Sequence, residues 1–394
     1  MIVSNQRNQS HRLELASESL ALGLELRETG RMRRPPLRIL DLVGSPEARG
    51  HAHGAAFVDE IRTYTDERVR LAGSRFWAGG EIDRVDVLEI ARSCLPAHEA
   101  HSADLYAEMC GIADGAGITP EEAVVVGGFT DFVDTVRSEV GGRHPDEVVE
   151  DDCTAFIVPD HRCDGQGFYG QTWDMHDTAT PHVVLLRIRP DDGPVSLVFT
   201  TTGCVGQLGM NEAGVCVGIN NLVATDGCRG VMWTSVVREA LAQDSAVLAR
   251  DAVLGADLAG AHSFLTFDAS GDGHVVEAFP TARPSESLDT EPLVHTNHAL
   301  WDEALDREAP RHEGLMANSI RRRERALKML DRDGIGVDDL MAVTRDDQAV
   351  CRVSTEPFHV ESSGAAIMRP RTRDFWAVWG LPSHNDYIHV PFAA

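Results

Sequence analysis

The hydrophobic pattern changes its period at Cys153, and this change constrains the fold more than any other sequence feature. Upstream of Cys153, apolar residues recur at helical spacing. Downstream, β-branched and aromatic runs alternate with turn residues, beginning with the apolar run from Thr154 to Val158. We therefore expect an α+β fold in which a mostly helical N-terminal region precedes sheets with grouped helices.

The two periodicities predict individual elements. Helices are expected at residues 53–71, 86–95, 97–111 and 120–126 before the change, and at 232–242, 246–254 and 319–330 after it. Strands are expected at residues 154–158, 167–172, 182–188, 196–202, 215–219, 263–268 and 274–279. Short Gly-containing turns separate several of these strands, which favours antiparallel hairpins.

Two segments stand apart from these elements. Residues 1–36 combine an amphipathic helical pattern at 13–28 with a basic run and a Pro-Pro pair, so we interpret them as an appended arm. Residues 137–152 hold six acids, two arginines, a Gly-Gly pair and a proline. That composition predicts a solvated and mobile segment ending at Cys153.

Cys153 has two possible roles. If the bond after Asp152 is cut, Cys153 becomes an N-terminal residue that carries both a thiol nucleophile and a free α-amine, whose reference pKa is about 8. The amine could then serve as the base for the thiol. Cysteine is also among the most buried residue types, so a packing residue at the start of a strand is the alternative.

Composition excludes several functional classes. The net charge of -26 disfavours binding to nucleic acid and to anionic membranes. Lys328 is the only lysine, which disfavours Schiff-base chemistry, and no Gly-Lys-Ser/Thr phosphate loop occurs. The eight cysteines form no C-x-x-C pair and are expected to be reduced thiols. No signal-like N-terminus or apolar span is evident, so we expect a cytoplasmic protein.

Two patterns imitate metal sites. The run from Asp268 to Gly273 resembles the start of a calcium loop, but Phe279 occupies the position that requires a bidentate carboxylate, so we predict a hairpin turn. His98 and His101 have neither metalloprotease nor zinc-finger spacing, even with Cys94 and Cys110 nearby, and we predict a solvated helix face. We expect no metal and no cofactor.

An ordered set of motifs carries a family resemblance. The set comprises GSPEARG at 44–50, HG at 53–54, GQTWD at 170–174, GMNEAGV at 209–215, GINNL at 218–222 and HTNH at 295–298. In this order the chain resembles the acyl-coenzyme A:isopenicillin N acyltransferase family, self-cleaving members of the N-terminal-nucleophile hydrolases. The likeness extends over about residues 38 to 390.

The resemblance implies a fold and a maturation pathway. It implies a four-layer αββα sandwich of antiparallel sheets, in which cleavage between Asp152 and Cys153 divides the chain. Residues 37–152 would form a helical pro-segment that becomes the small chain, and residues 153–394 the catalytic core. Relatives commonly carry glycine where this chain has Asp152, and a side chain there restricts the backbone that must distort during self-cleavage. Cleavage is therefore expected to be slow, unless the Asp152 carboxylate assists it.

The resemblance also implies roles for four residues. Cys153 would attack a substrate carbonyl, and Asn297 would donate to the oxyanion. Asn220 would be a further polar donor, and Asp174 would accept from the new α-ammonium or orient its neighbours. The expected partners are a small amide or acyl donor, the cleaved N-terminal chain and a possible second copy of the protein. The substrate-binding residues are not identified by the sequence.

Two other functions remain open from the sequence. One is an unprocessed single-chain cysteine hydrolase, such as a cysteine protease or transglutaminase, which pairs Cys153 with His295 or His298. The other is a binding protein of the same fold in which Cys153 only packs. The mass of the protein distinguishes both alternatives from the self-cleaving enzyme, because only that enzyme yields two chains.

Overall fold

A computed structural model of the chain describes residues 37–141, 153–356 and 359–393. The predicted arm at 1–36, with its helix at 13–28, lies outside the described residues, and so does Asp152. Among described residues, the helices are α1 Pro46–Ala56, α2 Val58–Ala72, α3 Arg75–Ala78, α4 Arg84–His101, α5 Ala103–Ala116, α6 Pro120–Gly127, α7 Phe129–Val140, α8 Trp233–Ala240, α9 Ala246–Gly255, α10 Asp302–Leu305, α11 Glu313–Leu330 and α12 Val337–Thr344.

The strands form two sheets. In chain order they are β1 Ile39–Gly44, β2 Thr154–Val158, β3 Phe168–His176, β4 Val183–Pro190, β5 Ser196–Thr201, β6 Leu208–Asn211, β7 Cys216–Leu222, β8 Ala261–Phe267, β9 Gly273–Ala278, β10 Ser285–Ser287, β11 Leu293–His295, β12 Val360–Arg369, β13 Asp374–Trp379 and β14 Ile388–His389. Sheet A has the order β1-β4-β5-β6-β7-β8-β9-β10, and sheet B the order β11-β2-β3-β12-β13-β14. Neighbouring strands are antiparallel except β1 and β4, which are parallel.

Strand alternation explains how the sheets stack. On β2, Ala155 and Ile157 belong to the apolar cluster between the sheets, whereas Phe156 packs on the opposite face with α11 and α12. On β5, Phe199 faces the inter-sheet cluster and Val198 packs with α8 and α9. Because successive side chains of a strand point to opposite faces, each sheet is buried on both sides. The predicted four-layer αββα sandwich is confirmed.

The helical region before Cys153 extends further than predicted. The pattern does not predict α7, and the segment expected to be solvated from residue 137 onward begins inside this helix. Arg137 is buried, donates to the carbonyl oxygen of Trp77 at 2.7 Å and pairs with Asp134 at 3.1 Å. The prediction is therefore wrong for its first residues, because a buried acceptor and a carboxylate satisfy this arginine. Residues 142–152 lie outside the described range.

The motif at residues 44–54, with its glycines Gly50 and Gly54, holds α1 against α5. A Cβ atom on Gly50 would lie 2.0 Å from the carbonyl oxygen of Glu108, and one on Gly54 would lie 2.3 Å from that of Ile112. Across the contact, Cβ atoms on Gly111 and Gly115 would meet backbone atoms of α1 at 2.5 and 2.3 Å. The two helices thus approach at a distance that only glycine permits.

Buried polar contacts fix the same helices to sheet A. Glu108 accepts from Arg49 of α1 at 2.8 Å and from Arg238 of α8 at 2.7 Å. Burial alone would raise the pKa of Glu108, but the two guanidinium groups lower it. The Nε2 atom of His53 accepts from the backbone N–H of Gly203, and burial lowers the pKa of His53 to about 4. The residues of this motif therefore pack α1 against α5 and attach α1 to Glu108 and Gly203.

Of the predictions for the two patterns that imitate metal sites, one is confirmed and one is wrong. Asp268 accepts from the backbone N–H of Ser270 at 2.8 Å, in the turn between β8 and β9, so the predicted hairpin turn is confirmed. The predicted solvated face at His98 is wrong. His98 is buried and bonds to the N–H of Met232 and to Ser235, and Cys94 is fully buried beside it.

No helix in the described ranges has the length and apolar character needed to cross a membrane. The prediction of a cytoplasmic location rests on the sequence alone.

Gly50→Ala should lower the free energy of unfolding by about 2 kcal/mol or more, because the new methyl group overlaps the backbone of α5. Gly255→Ala is the matched control: this helical glycine has nothing within 4 Å of a Cβ atom, so it should be neutral or slightly stabilising. Both changes would be measured by denaturant unfolding in a Cys153→Ala background, in which the candidate nucleophile is absent. Equal stability of the two variants would contradict the close helix contact.

Candidate active site

Cys153 lies at the start of β2 with its thiol between the two sheets. The residue is 1% exposed and belongs to the inter-sheet cluster with Tyr169 and Trp173. The backbone N–H of Asp174 donates to its Sγ atom at 3.4 Å, and the thiol lies 3.8 Å from the carbonyl oxygen of the same residue. Pairing of β2 with β3 therefore fixes the sulfur position, since Thr154 pairs with Thr172 one residue further on.

Asp174 is a fully buried carboxylate on β3. Neither of its oxygens has a hydrogen-bond partner among the described residues. The nearby hydroxyls of Ser362 and Thr172 favour the ionised form. Burial raises the pKa of Asp174 to about 7, and the charge of Arg322 opposes that rise. A buried carboxylate without a well-formed hydrogen bond thus belongs to the residue whose backbone contacts the sulfur of the candidate nucleophile.

Arg322 connects the predicted site residues, and the sequence analysis did not select it. Its side chain extends from α11 with no exposed surface. One terminal nitrogen donates to the carbonyl oxygen of Cys153 at 2.5 Å and to Oγ1 of Thr154 at 2.9 Å. The other donates to Oδ1 of Asn297 at 3.0 Å. Burial lowers the pKa of Arg322 to about 10, while Asp174 and Cys153 act in the opposite direction.

Asn297 is held from several directions. Its side-chain nitrogen donates to the carbonyl oxygen of Asn221 at 3.0 Å, and its backbone N–H donates to Oγ of Ser319 at 2.9 Å. Arg311 also donates to its carbonyl oxygen. In the uncleaved chain, Asn297 therefore links the end of β7 to α11 and orients Arg322.

Asn220 lies on the opposing sheet. Cys216 on β7 faces the inter-sheet cluster, and strand alternation places the Asn220 side chain on that same face. Asn220 pairs with Ser263 of β8, and both residues have no exposed surface. Neither the amide of Asn220 nor the hydroxyl of Ser263 has a hydrogen-bond partner in the described parts of the chain. Two adjacent polar groups thus remain available on the face toward sheet B.

Gln171 bridges the two sheets beside these groups. Its side chain accepts from the backbone N–H of Ile219 at 3.0 Å and donates to the carbonyl oxygen of Ile219 at 2.6 Å. Tyr169 donates to the same amide oxygen at 2.6 Å. The ladder between β6 and β7 ends at Val217, so Gln171 takes the place of a strand partner and fixes β7 at Asn220.

Known proteins were compared with the chain. The model of the family described as acyl-coenzyme A:6-aminopenicillanic acid acyl-transferase matches residues 161–380, more than half of the 394 residues. The chain belongs to this acyl-transferase family. A relative from Emericella nidulans, the 40 kDa form of acyl-coenzyme A:6-aminopenicillanic-acid-acyltransferase, is 26% identical over 263 residues, which cover 65% of this chain and 68% of the relative.

Two solved structures are distantly similar. A mutant of the conjugated bile acid hydrolase from Clostridium perfringens has a TM-score of 0.41 at 12% identity, covering 61% of this chain and 96% of that chain. Penicillin V acylase from Agrobacterium tumefaciens has a TM-score of 0.35 at 11% identity, covering 60% of this chain and 85% of that chain.

The family match includes most of the candidate residues. It contains Asp174, Asn220, Asn297 and Arg322, and it begins after Cys153. Asp174, Cys153 and Asn297 meet around Arg322, whereas Asn220 belongs to the facing sheet. Arg322 could have been found from the sequence, since it lies on the buried stripe of α11 with Leu315, Ser319, Ala326 and Leu330. Ser263 left no such signal, because a serine within a strand is ordinary.

The histidines proposed as partners of the thiol are engaged elsewhere. The Nδ1 atom of His295 lies 2.7 Å from the carbonyl oxygen of Thr296, and its Nε2 atom lies 2.7 Å from Glu277. Both ring nitrogens of His295 therefore contact oxygen atoms rather than the Cys153 sulfur. His298 bonds to Ser319 at 2.8 Å, and burial lowers its pKa to about 3.

Asp174 should lower the free energy of unfolding of the Cys153→Ala protein as the pH rises. Its carboxyl has a pKa of about 7 in the folded chain and about 3.9 when unfolded. Its stabilising contribution is therefore full below about pH 4 and is lost as the pH rises through 7. Cys153→Ala should lose roughly 2–4 kcal/mol across this range relative to Cys153→Ala/Asp174→Asn.

Equilibrium unfolding of both proteins at a series of pH values tests this. The buried histidines with lowered pKa values destabilise both proteins alike as the pH falls below about 6.5, so only the difference reports on Asp174. Parallel profiles would mean that Asp174 titrates normally.

Proposed function

We propose that the chain cleaves its own bond between Asp152 and Cys153, and that Cys153 then acts as the N-terminal nucleophile of an amide hydrolase or acyltransferase. The observation that carries this proposal is the buried carboxylate of Asp174, neither oxygen of which makes a well-formed hydrogen bond within the described ranges, on the residue whose backbone N–H donates to the Cys153 sulfur. Cleavage would create an α-ammonium there, which supplies the hydrogen-bond donors and the charge that this carboxylate lacks. Membership in an acyl-transferase family supports the reaction class.

The reaction would use the thiol and the amine of one residue. The Cys153 sulfur adds to the amide carbonyl of the substrate while its proton passes to the α-amine. The amine then protonates the leaving nitrogen, the C–N bond breaks and a thioester forms. Water attacks the thioester in hydrolysis, and an acceptor amine attacks it in acyl transfer. Either attack restores the thiol, because the α-amine takes the proton of the attacking group and returns it to the departing sulfur.

Arg322 and Asp174 would position the nucleophile. Arg322 donates to the carbonyl oxygen of Cys153, so the residue remains anchored after its N-terminal bond is broken. Asp174 would hold the α-ammonium from the other side and retain it in the buried site. Before cleavage the same amine is an amide nitrogen and cannot accept a proton.

The oxyanion would be stabilised from sheet A. Asn220 has an unused N–H donor on the inner face, and Ser263 adds a hydroxyl at the adjacent position. A preorganised neutral donor in a buried site stabilises developing negative charge without prior reorganisation. Asn297 remains a predicted donor, and its bonds to Arg322 and Asn221 give it a second task in holding the site together.

A cavity of about 390 Å³ provides room for an apolar substrate group. Its apolar walls include Leu265 and Val275 of sheet A, Leu293 of β11 and Trp301. Charged side chains also line the cavity: Glu286, Asp289, Glu291 and Arg323. His295 lines the same cavity and pairs with Ala155, two residues after Cys153. We propose that the apolar part of the amide lies here.

Wild-type protein should yield pieces of 152 and 242 residues that remain associated, since cleavage would fall after residue 152 of 394. Cys153→Ala should remain one chain with the same fold, because it lacks the sulfur that accepts the acyl group. Intact mass spectrometry and size-exclusion chromatography measure both results. An intact wild-type chain that still hydrolyses amides would favour a single-chain cysteine hydrolase, and an intact inactive chain would favour a binding protein.

A second measurement examines the new terminus directly. Mature protein treated with an aldehyde should form a thiazolidine at Cys153, which requires a thiol and a free amine on one residue, and activity should disappear with the adduct. Full activity after verified capping of the α-amine would remove that amine from the mechanism. His295→Ala and His298→Ala would then be the informative variants.

Asn220→Ala should lower turnover of the mature enzyme by about a hundredfold or more, the usual scale for a lost oxyanion donor. Ser263→Ala should have a smaller effect in the same direction, because it removes only the flanking hydroxyl. Asn297→Ala should lower turnover and also slow maturation, since it releases Arg322. Rates would be measured on chains confirmed to be cleaved, and unchanged turnover of Asn220→Ala would move the oxyanion role to Asn297 or to backbone amides.

A further inference from the structure

Arg68 is a buried cation with unused hydrogen-bond donors. It lies on α2 with no exposed surface. Its Nη1 atom contacts Nδ1 of His176 at 3.3 Å and Sδ of Met175 at 3.9 Å. Its Nε and Nη2 atoms have no hydrogen-bond partner within the described ranges. These two nitrogens form the edge of the guanidinium that binds a carboxylate through two parallel hydrogen bonds.

Aromatic rings surround the guanidinium without supplying an acceptor. Its central carbon lies 4.6 Å from the ring centre of Tyr64 and 4.9 Å from that of Phe129. The hydroxyl of Thr65 is also buried without a partner, and residues three apart on a helix are neighbours. The cation–π contacts offset part of the charge, but they leave the N–H groups unsatisfied.

The surrounding titratable groups do not balance this charge. Glu60, on the same helix, bonds to Arg38, and Asp177 accepts from Ser354. Burial, and secondarily Arg68, lower the pKa of His176 to about 3 and that of His182 to about 4. An uncompensated buried charge costs several kcal/mol in typical proteins, so an anion on this edge would be strongly favoured.

The position of Arg68 relates it to the candidate nucleophile. Met175 belongs with Cys153 to the inter-sheet cluster, and it follows Asp174, whose backbone contacts the Cys153 sulfur. The β2–β3 register places Cys153 level with Trp173. Met175 follows two residues later on β3, in one direction along the sheet. In the opposite direction come Ala155 and the cavity that His295 lines. Methionine side chains are flexible, so Met175 can move to admit a ligand between Cys153 and Arg68.

We propose that Arg68 binds a carboxylate of the substrate, so that the preferred substrates are amides with an apolar group on one side of the scissile bond and a carboxylate on the other. This inference rests on the proposed function of Cys153. It assigns substrate selection to the helical region before Cys153, which would become the small chain. The apolar group occupies the cavity, and the carboxylate accepts from Nε and Nη2 of Arg68.

Two pairs of amides test the proposal and locate the carboxylate. N-phenylacetylglycine and N-phenylacetylglycinamide differ by a carboxylate in the amine part. The monobenzylamide of glutaric acid and the benzylamide of valeric acid differ by one in the acyl part. Arg68 can reach the carboxylate from only one side of the scissile bond, so one of the two pairs should show a preference. In that pair, wild-type enzyme should prefer the carboxylate-bearing amide by about thirtyfold or more in kcat/KM, the scale of a buried charged hydrogen bond.

Three variants separate recognition from structure. Arg68→Met should abolish the preference within that pair, because it should lower kcat/KM for the carboxylate by about thirtyfold more than for the neutral amide. Arg68→Lys should retain part of the preference, because an ammonium keeps the charge but not the two-point edge. Arg70→Met is the control: Arg70 is exposed on the same helix, and this change should alter neither substrate. Circular dichroism and intact mass confirm folding and cleavage of each variant.

The result that overturns the inference is an equal effect of Arg68→Met on both members of each pair, which a structural cation would give. Calorimetric binding of N-phenylacetylglycine and its amide to wild type and Arg68→Met decides the same question without turnover. If every amide resists hydrolysis, the proposed function fails. Carboxylate-selective binding lost in Arg68→Met would then still support the site, and its absence would overturn the site.

Discussion

The candidate site depends on one buried guanidinium. Arg322 has no exposed surface, and a charge removed from water must be matched by good acceptors to be tolerated. It finds them in the carbonyl oxygen of Cys153, the hydroxyl of Thr154 and the amide oxygens of Asn297 and Asn318. These groups come from the start of β2, the loop after β11 and α11 itself. Satisfying one charge therefore fixes three separate segments around the candidate nucleophile.

A second constraint is the set of buried polar groups that this network leaves unsatisfied. Buried polar atoms in native proteins nearly always have partners. Here the carboxylate of Asp174 and the side chains of Asn220 and Ser263 lack them among described residues. Each such group lowers the stability of the folded chain, because a buried polar atom without a partner costs free energy. An ammonium at Asp174 and an oxyanion at Asn220 are the occupants that the proposed function would supply.

The helical layer before Cys153 contributes more than a cover. The glycine contact between α1 and α5 and the two arginines on Glu108 fix these helices to sheet A. The α2 helix follows α1 directly, so the same contacts set the position of Tyr64, Thr65 and Arg68 over the end of β3. The upstream motif thus acts through packing geometry.

The sequence by itself determined the change of fold class at Cys153, most helices and strands, and the motifs that place the chain in its family. These signals are local, because periodicity and turn residues act within a few positions. It did not predict β12, whose stretch from Glu361 to Ala365 is rich in small residues and pairs only through distant strands. Only the tertiary structure decided that Arg322 joins the site, that Asn220 lies on the inner face of the other sheet and that His98 is buried. Each of these depends on contacts between residues far apart in sequence, which a single chain's local pattern does not encode.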